Sequence, residues 1–263
     1  MVQRVRRRER DQAREQLVRE LEDELQTAYE LQMGLMPAEP PQLEGLDIAG
    51  RCSPATHVGG DFFQYYSQDG KLSICMADVT GHAMAAAVPV MMFSGVLESE
   101  MKQGESLVDL FANLTQTLHK RLDKRTFVCF TMGSLDTDTR ILRLANGGCP
   151  YPYHFRAATG EVAEVEVDGF PLGVSAEADY SMAEIQLEAG DRIVFCSDGI
   201  IEAWNARQEM FGYERTAAAI EQGCRQNLSA SHLLNHLIGQ AHAFTGETPQ
   251  EDDQTVVVLA VAT

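Results

Sequence analysis

Beyond a proline-rich break, Met36-Pro37 through Pro40-Pro41, the chain divides into short strand-like runs closed by turns. These read at Asp47–Cys52, Phe62–Tyr66, Leu72–Ala77, Phe127–Leu135, Ile141–Ala145, Tyr153–Ala157, Val162–Val167, Ser181–Leu187, Arg192–Cys196 and Thr255–Val261. Gln68-Asp69-Gly70 and Glu188-Ala189-Gly190 are typical of the turns between them. Helix-length segments fall in two pairs, Ala83–Met101 with Leu107–Leu122, and Tyr213–Gln226 with Ala230–Phe244. Strands in runs with helices in pairs point to antiparallel sheets covered by helices rather than to a βαβαβ winding.

Ahead of the break the pattern is different. From Arg4 to Leu35 there is no proline, and no glycine before Gly34, while Val18, Leu21, Leu25, Ala28, Gln32 and Leu35 recur at alternating spacings of three and four. That is a heptad seam with Gln32 as its polar interruption. A lone helix with so short a seam is marginal in water, so it needs a partner helix or the domain's own surface; a parallel homodimer is the expectation, with Gln32 inside the seam. The boundary follows as residues 1–36 for a linker helix and 37–263 for the folded domain.

Charge narrows the partners. The chain carries a net −18, and its first twenty residues hold seven arginines against four acids, which leaves about −21 on the rest. A body of that sign repels nucleic acid and anionic lipid and attracts divalent cations and basic partners. Six cysteines without a CxxC read as reduced thiols, the N-terminus has no apolar signal core, and no run approaches 18 uninterrupted apolar residues. A cytoplasmic protein with no membrane span is expected.

Acidic residues are abundant, so the informative ones are those at turns beside apolar strands. Asp61 follows Gly59-Gly60, Asp78 closes Leu72–Ala77, Asp198 follows Ile193–Cys196, and Asp252-Asp253 precede Thr255–Val261. Any one of them is explained by turn chemistry alone. If these strand ends converge, the carboxylates share one cleft and raise one another's pKa unless cations neutralise them, and hard oxygens of this kind suit Mg²⁺ or Mn²⁺ better than Zn²⁺.

The order of short motifs then carries a resemblance. Val58-Gly59-Gly60-Asp61-Phe62, Ala77-Asp78-Val79-Thr80-Gly81-His82, Asn146-Gly147-Gly148, Gly169-Phe170-Pro171-Leu172-Gly173, Ser197-Asp198-Gly199 with Glu202, and Asp252-Asp253-Gln254-Thr255 resemble, in sequence, the bacterial PP2C-like serine/threonine phosphatases of the SpoIIE/RsbU type. The resemblance implies an α+β fold, an αββα sandwich of two antiparallel sheets flanked by helix pairs, with two Mn²⁺ or Mg²⁺ ions at one edge. It implies that Asp78 bridges the ions, that the Val79 carbonyl binds one of them, and that Asp198 and Asp252 complete the other's shell. Asp61 contacts metal directly or through water, and Asp252 rather than Asp253 takes the ligand place.

The activity so implied is hydrolysis of phosphoserine or phosphothreonine by a metal-activated water, which needs no protein nucleophile and agrees with the absence of a Cys-x5-Arg loop. By the same resemblance the substrate is a phosphorylated anti-sigma-factor antagonist or similar regulatory protein, and the linker helix joins the domain to an upstream sensor or receiver. The chain departs from the family at Gln64, where relatives carry aspartate, and at Cys149, where they carry histidine. His82 is weighed as a general acid and Arg51 as a phosphate-binding cation. Two alternatives stay open: a pseudophosphatase that sequesters a phosphorylated partner, and a Ca²⁺-stabilised domain without chemistry.

Other features read as structural. His232 and His236 lie one turn apart without a third ligand and are assigned to a solvent face. Met84, Val88, Met91, Met92 and Met101 make the first helix of the domain apolar on most sides, a core helix. Trp204 is expected to pack under the loop that follows Asp198.

Overall fold

The structure, a computed structural model, describes residues 2–81 and 83–262. Helix α1 (Val2–Met33) ends at the proline break, where each ring removes a donor and pushes its preceding residue out of the α region. The described strands are β1 (Leu46–Ser53), β2 (Asp61–Gln68), β3 (Lys71–Val79), β4 (Val128–Asp136), β5 (Ile141–Gly147), β6 (Tyr153–Arg156), β7 (Glu161–Glu164), β8 (Ala183–Gln186), β9 (Arg192–Cys196) and β10 (Gln254–Val261). Between them stand α2 (Met84–Met101), α3 (Leu107–Arg121), the single turn α4 (Asp198–Ile201), α5 (Gly212–Arg225) and α6 (Ala230–Thr245).

Two antiparallel sheets result, ordered β1-β10-β9-β6-β7 and β2-β3-β4-β5-β8. Side-chain alternation along each strand explains the layers. On β10, Val256 and Val258 meet Ile220 of α5 and Leu233 and Leu237 of α6, while Val257, Leu259 and Val261 join the core between the sheets. On β3, Leu72, Ile74 and Met76 fill that same inter-sheet core, and Cys75, Ala77 and Val79 pack against Phe93 of α2 and Phe111 and Leu114 of α3. Each large apolar side chain buried in this way contributes roughly 1.5–3 kcal/mol. The expected αββα sandwich is the observed one.

Differences from expectation have local causes. The chain leaves β7 after Glu164, short of Val167, because Val165 and Val167 turn into the inter-sheet core. Helix α2 is long and apolar enough to cross a membrane by composition, at mean hydropathy 1.2. Its Val90, Phe93 and Leu97 are fully buried against the sheet. Met84 and Val88 are exposed, however, so the helix is not core on most sides as its composition implied. Serines cap α3 and α6: Ser106 accepts from the Asp109 N–H and Ser229 from the His232 N–H.

The seam of α1 is divided. Val18 and Leu21 are exposed, whereas Leu35 and Met36, just past the helix, pack against the α2–α3 core. Gln32 corrects the sequence expectation: it is 1% exposed and bonded to the domain, not set in a seam between two helices. A polar residue in an apolar series has found buried backbone partners within its own chain.

Candidate metal centre

Asp61 opens β2 directly opposite Asp78 at the end of β3. The preceding Gly59-Gly60 loop lies so close to β3 that a Cβ on Gly60 would stand 2.4 Å from the Val79 carbonyl oxygen and 2.8 Å from Asp78 Oδ1. Those two oxygens therefore sit beside one another, at a place only glycine fits. The Val79 N–H donates to the Gly60 carbonyl at 3.0 Å and closes this corner.

The other wall comes from β9, α4 and the approach to β10. Asp198 is the first residue of α4, a turn the sequence reading missed, and a Cβ on its neighbour Gly199 would fall 2.0 Å from the Asp253 carbonyl oxygen. Asp253 is 7% exposed, and its carboxylate accepts from the N–H of Ala55 at 2.8 Å, of Gly60 at 2.6 Å and of Asp61 at 3.4 Å. Asp252 beside it is exposed, with Oδ1 accepting from the Asp253 N–H at 2.8 Å. Thr255 donates its hydroxyl to Asp61 Oδ2 at 2.6 Å, and Ser197 Oγ donates to the Asp253 carbonyl at 3.1 Å while accepting from the Thr255 N–H at 2.9 Å. Asp253, Ser197 and Thr255 thus lace the two walls together, a role that motif spacing did not reveal.

The field in the cleft is strongly negative. Burial, and then the charges of Asp198, Asp252 and Asp253, push Asp78 up to about 7. Burial and then Asp252 and Glu202 raise Asp198 to about 6, and burial raises Asp252 as well. Asp61, 2% exposed, is driven well above the carboxylate range by burial first and Asp78 second, against the Thr255 hydrogen bond. Asp78, Asp198 and Asp252 consequently share one electrostatic neighbourhood. Among the described residues no three His, Cys, Asp or Glu side chains surround a single point as a ready ligand sphere. What converges is the carboxylate field and the paired Asp78 and Val79 oxygens, a set whose hardness and charge suit a divalent cation such as Mg²⁺ or Mn²⁺.

Two grooves flank this rim and share Glu202. One, of about 420 Å³, runs past Trp204, His242, Gln250 and Asp252; the other, of about 540 Å³, runs past Cys149, Tyr151, Asp168, Asp198 and Tyr213. Neither is lined by a lysine or arginine among the described residues.

The remaining sequence candidates sort plainly. Gln64 points to the linker, donating to the Leu35 carbonyl at 3.0 Å. Cys149 is buried in a loop fastened by Asn146, which donates to its carbonyl at 2.9 Å and accepts from its N–H at 3.2 Å. Burial pushes Cys129 and Cys196 up to about 12 and Cys149 well above the usual thiol range. Trp204 lines the Asp252 groove, and Arg51 is exposed on β1. His232 is on the solvent face as expected, but His236 is half-buried against Gly223. His82 lies outside the described residues.

With this geometry in hand, comparison with known proteins is decisive at the family level. Residues 68–262 match the model of the family described as Stage II sporulation protein E (SpoIIE). The chain belongs to the SpoIIE family. Phosphoserine phosphatase RsbU of Bacillus subtilis is 27% identical over 183 residues, which cover 70% of this chain and 55% of that protein. The chain spans about half the length of the curated relatives it matches. Among solved structures, the SiaA-PP2C domain of Pseudomonas aeruginosa superposes with a TM-score of 0.81 at 22% identity, over 93% of this chain and 98% of that one. The catalytic domain of the serine/threonine protein phosphatase PstP, solved in complex with two manganese ions, gives 0.58 at 18% identity over 83% and 99%. These likenesses establish the PP2C fold for this SpoIIE-family chain.

Proposed function

We propose that this SpoIIE-family chain is a metal-dependent serine/threonine phosphatase, the output domain of a signalling protein, hydrolysing phosphoserine or phosphothreonine on a regulatory partner. The observation that carries the reading is the shared field of Asp78, Asp198 and Asp252 beside grooves that offer no lysine or arginine among the described residues. A phosphate dianion enters such a place only if bound cations reverse its sign. Support comes also from the phosphoserine phosphatase RsbU and from PstP with its two manganese ions.

In this reading Asp78, the Val79 carbonyl, Asp198 and Asp252 would hold two Mn²⁺ or Mg²⁺ ions, with Asp78 shared between them. Asp61 would contact them directly or through water, with one oxygen kept by Thr255. When bound, such ions acidify a water and offset the charge on the phosphoryl oxygens. The chain's own part is to fix these oxygens at one edge of the sandwich and to keep its thiols protonated, so that no cysteine competes as nucleophile. By family resemblance the partner is a phosphorylated anti-sigma-factor antagonist in the cytoplasm, with a sensor or receiver upstream of α1.

Hydrolysis of p-nitrophenyl phosphate and of a phosphoserine protein tests the reading. Turnover is expected to need Mn²⁺ or Mg²⁺, to vanish in EDTA and return on adding Mn²⁺, and to survive thiol alkylation. Tight binding of the phosphorylated partner without turnover would favour the second reading, a sequestering pseudophosphatase, for which the Cys149 departure speaks. Exposed Val18 and Leu21 further support a homodimer through α1. Sedimentation is expected to give a concentration-dependent dimer that Leu21→Asp with Leu25→Asp converts to monomer.

A further inference from the structure

Asp253 holds the Gly59-Gly60 loop from the domain side; the linker helix holds it from the other. Gln32, in the last turn of α1, donates from Nε2 to the Gly59 carbonyl at 2.7 Å and accepts the Gly59 N–H on Oε1 at 3.0 Å. One buried side-chain amide thereby occupies both backbone groups of a single residue. The next residue, Gly60, is pinned through its N–H by Asp253 and through its carbonyl by the Val79 N–H, and it rests against Asp78 Oδ1 and the Val79 oxygen. An unbroken line of hydrogen bonds and contacts therefore runs from α1 to the two oxygens that adjoin at the end of β3.

A second glutamine works in the opposite direction. Gln64 on β2 donates to the Leu35 carbonyl and accepts from its own neighbour, the Tyr65 N–H, at 2.9 Å, fastening the chain just past the helix without touching Gly59. Burying an amide is costly unless both its ends are paired, so Gln32 and Gly59 hold each other in register. Gln64 shares only the task of keeping the linker exit in place.

We propose that Gln32 is a positioning residue for the metal centre: by fixing Gly59 it holds Gly60 against Asp78 and Val79 and so sets the spacing of the oxygens that receive a cation. The proposal rests on the metal reading above. Partners that orient ligands from outside the coordination sphere alter metal affinity by about 10- to 100-fold, and Gln32 acts through one further residue, so an effect at the lower end is expected.

The test uses the full 263-residue chain. Mn²⁺ is titrated and the free ion is followed by electron paramagnetic resonance, amide exchange is measured at residues 59–61, and thermal unfolding is recorded in EDTA. Gln32→Leu is expected to weaken Mn²⁺ binding about tenfold and to speed exchange at Gly59 and Gly60 while unfolding stays cooperative. Gln64→Leu is expected to bind Mn²⁺ within about twofold of the parent chain, because it loosens the linker exit and leaves Gly59 held. If Gln32→Leu does not fold cooperatively, Gln32→Asn, an amide one methylene too short for both bonds, takes its place with the same thresholds. Parent-like Mn²⁺ affinity in the Gln32 variant, or equal weakening by Gln64→Leu, overturns the positioning role alone. A parent chain that binds no Mn²⁺, or binding undiminished in Asp78→Asn, overturns the metal reading and this proposal with it.

Discussion

The cleft contains one kind of side chain in two layers. On the floor, Asp61 and Asp253 are almost wholly buried and are supplied with protein donors: a threonine hydroxyl for the first, three backbone N–H groups for the second. On the rim, Asp78, Asp198 and Asp252 are coupled through their charges, Asp252 lining one groove and Asp198 the other, and Asp78 and Asp198 reach pKa values of about 7 and 6. Sequence neighbours fall on opposite sides of this division, since Asp252 is exposed while Asp253 is buried. Three backbone N–H groups on one carboxylate tie Asp253 to the fold, whereas the mutual repulsion of Asp78, Asp198 and Asp252 is left for a cation to neutralise.

The largest test of that contrast is at the rim. Asp78→Asn or Asp252→Asn is expected to lower Mn²⁺-dependent turnover of p-nitrophenyl phosphate by roughly a thousandfold or more, because on the proposed reading each would weaken the hold on the ions that activate water. Thermal stability in EDTA is expected to be unchanged or higher, since one of several crowded charges is gone. Either variant turning over like the parent chain would remove its aspartate from the ligand set.

The floor is expected to answer in the reverse way. Asp253→Ala leaves the N–H groups of Ala55, Gly60 and Asp61 without their acceptor, and at about 1–3 kcal/mol for each buried group left unpaired the loss is on the order of several kcal/mol in urea unfolding. Should Asp253→Ala unfold no more readily than Asp252→Ala, the two layers would be one.

Much of this was legible beforehand, for reasons that also mark the limit. The apolar runs Leu72–Ala77 and Thr255–Val261 declare strands, and Asp78, Asp198 and Asp252 declare strand ends, because these signals are local. The partners of Gln32 and Thr255 lie 27 and 194 residues away. A polar residue at a heptad position fits equally a neighbouring helix or the chain's own domain, and only the tertiary structure decides. Gln64 was read only as a departure from the aspartate of relatives, and its side chain reaches the linker exit. The resemblance put Asp252 rather than Asp253 in the ligand place, but motif order did not show that Asp253 anchors the backbone of Ala55, Gly60 and Asp61.

The smallest expected effect, and the one that most sharpens the contrast, is the dependence of stability on pH without metal. Asp78 titrates at about 7 and Asp198 at about 6 in the folded chain, against an ordinary carboxylate value of 3.8 when unfolded. Both values are raised, so the folded state binds these protons more tightly than the unfolded state does. Their contribution to stability is fully present below about pH 4 and is lost as pH rises through 6 to 7. In EDTA the thermal midpoint should therefore fall between pH 5 and pH 8, by an amount on the order of a few kcal/mol in unfolding free energy. Asp78→Asn should flatten the fall by deleting one of its contributors, while Asp61, raised by burial and by Asp78, supplies another. Mn²⁺ should flatten it too, because a cation binds the deprotonated rim and recovers at high pH what repulsion removes. A parent chain whose midpoint is level across that range in EDTA, or a fall of equal slope in Asp78→Asn, would mean that the rim is neutralised by the protein after all and does not differ from the floor.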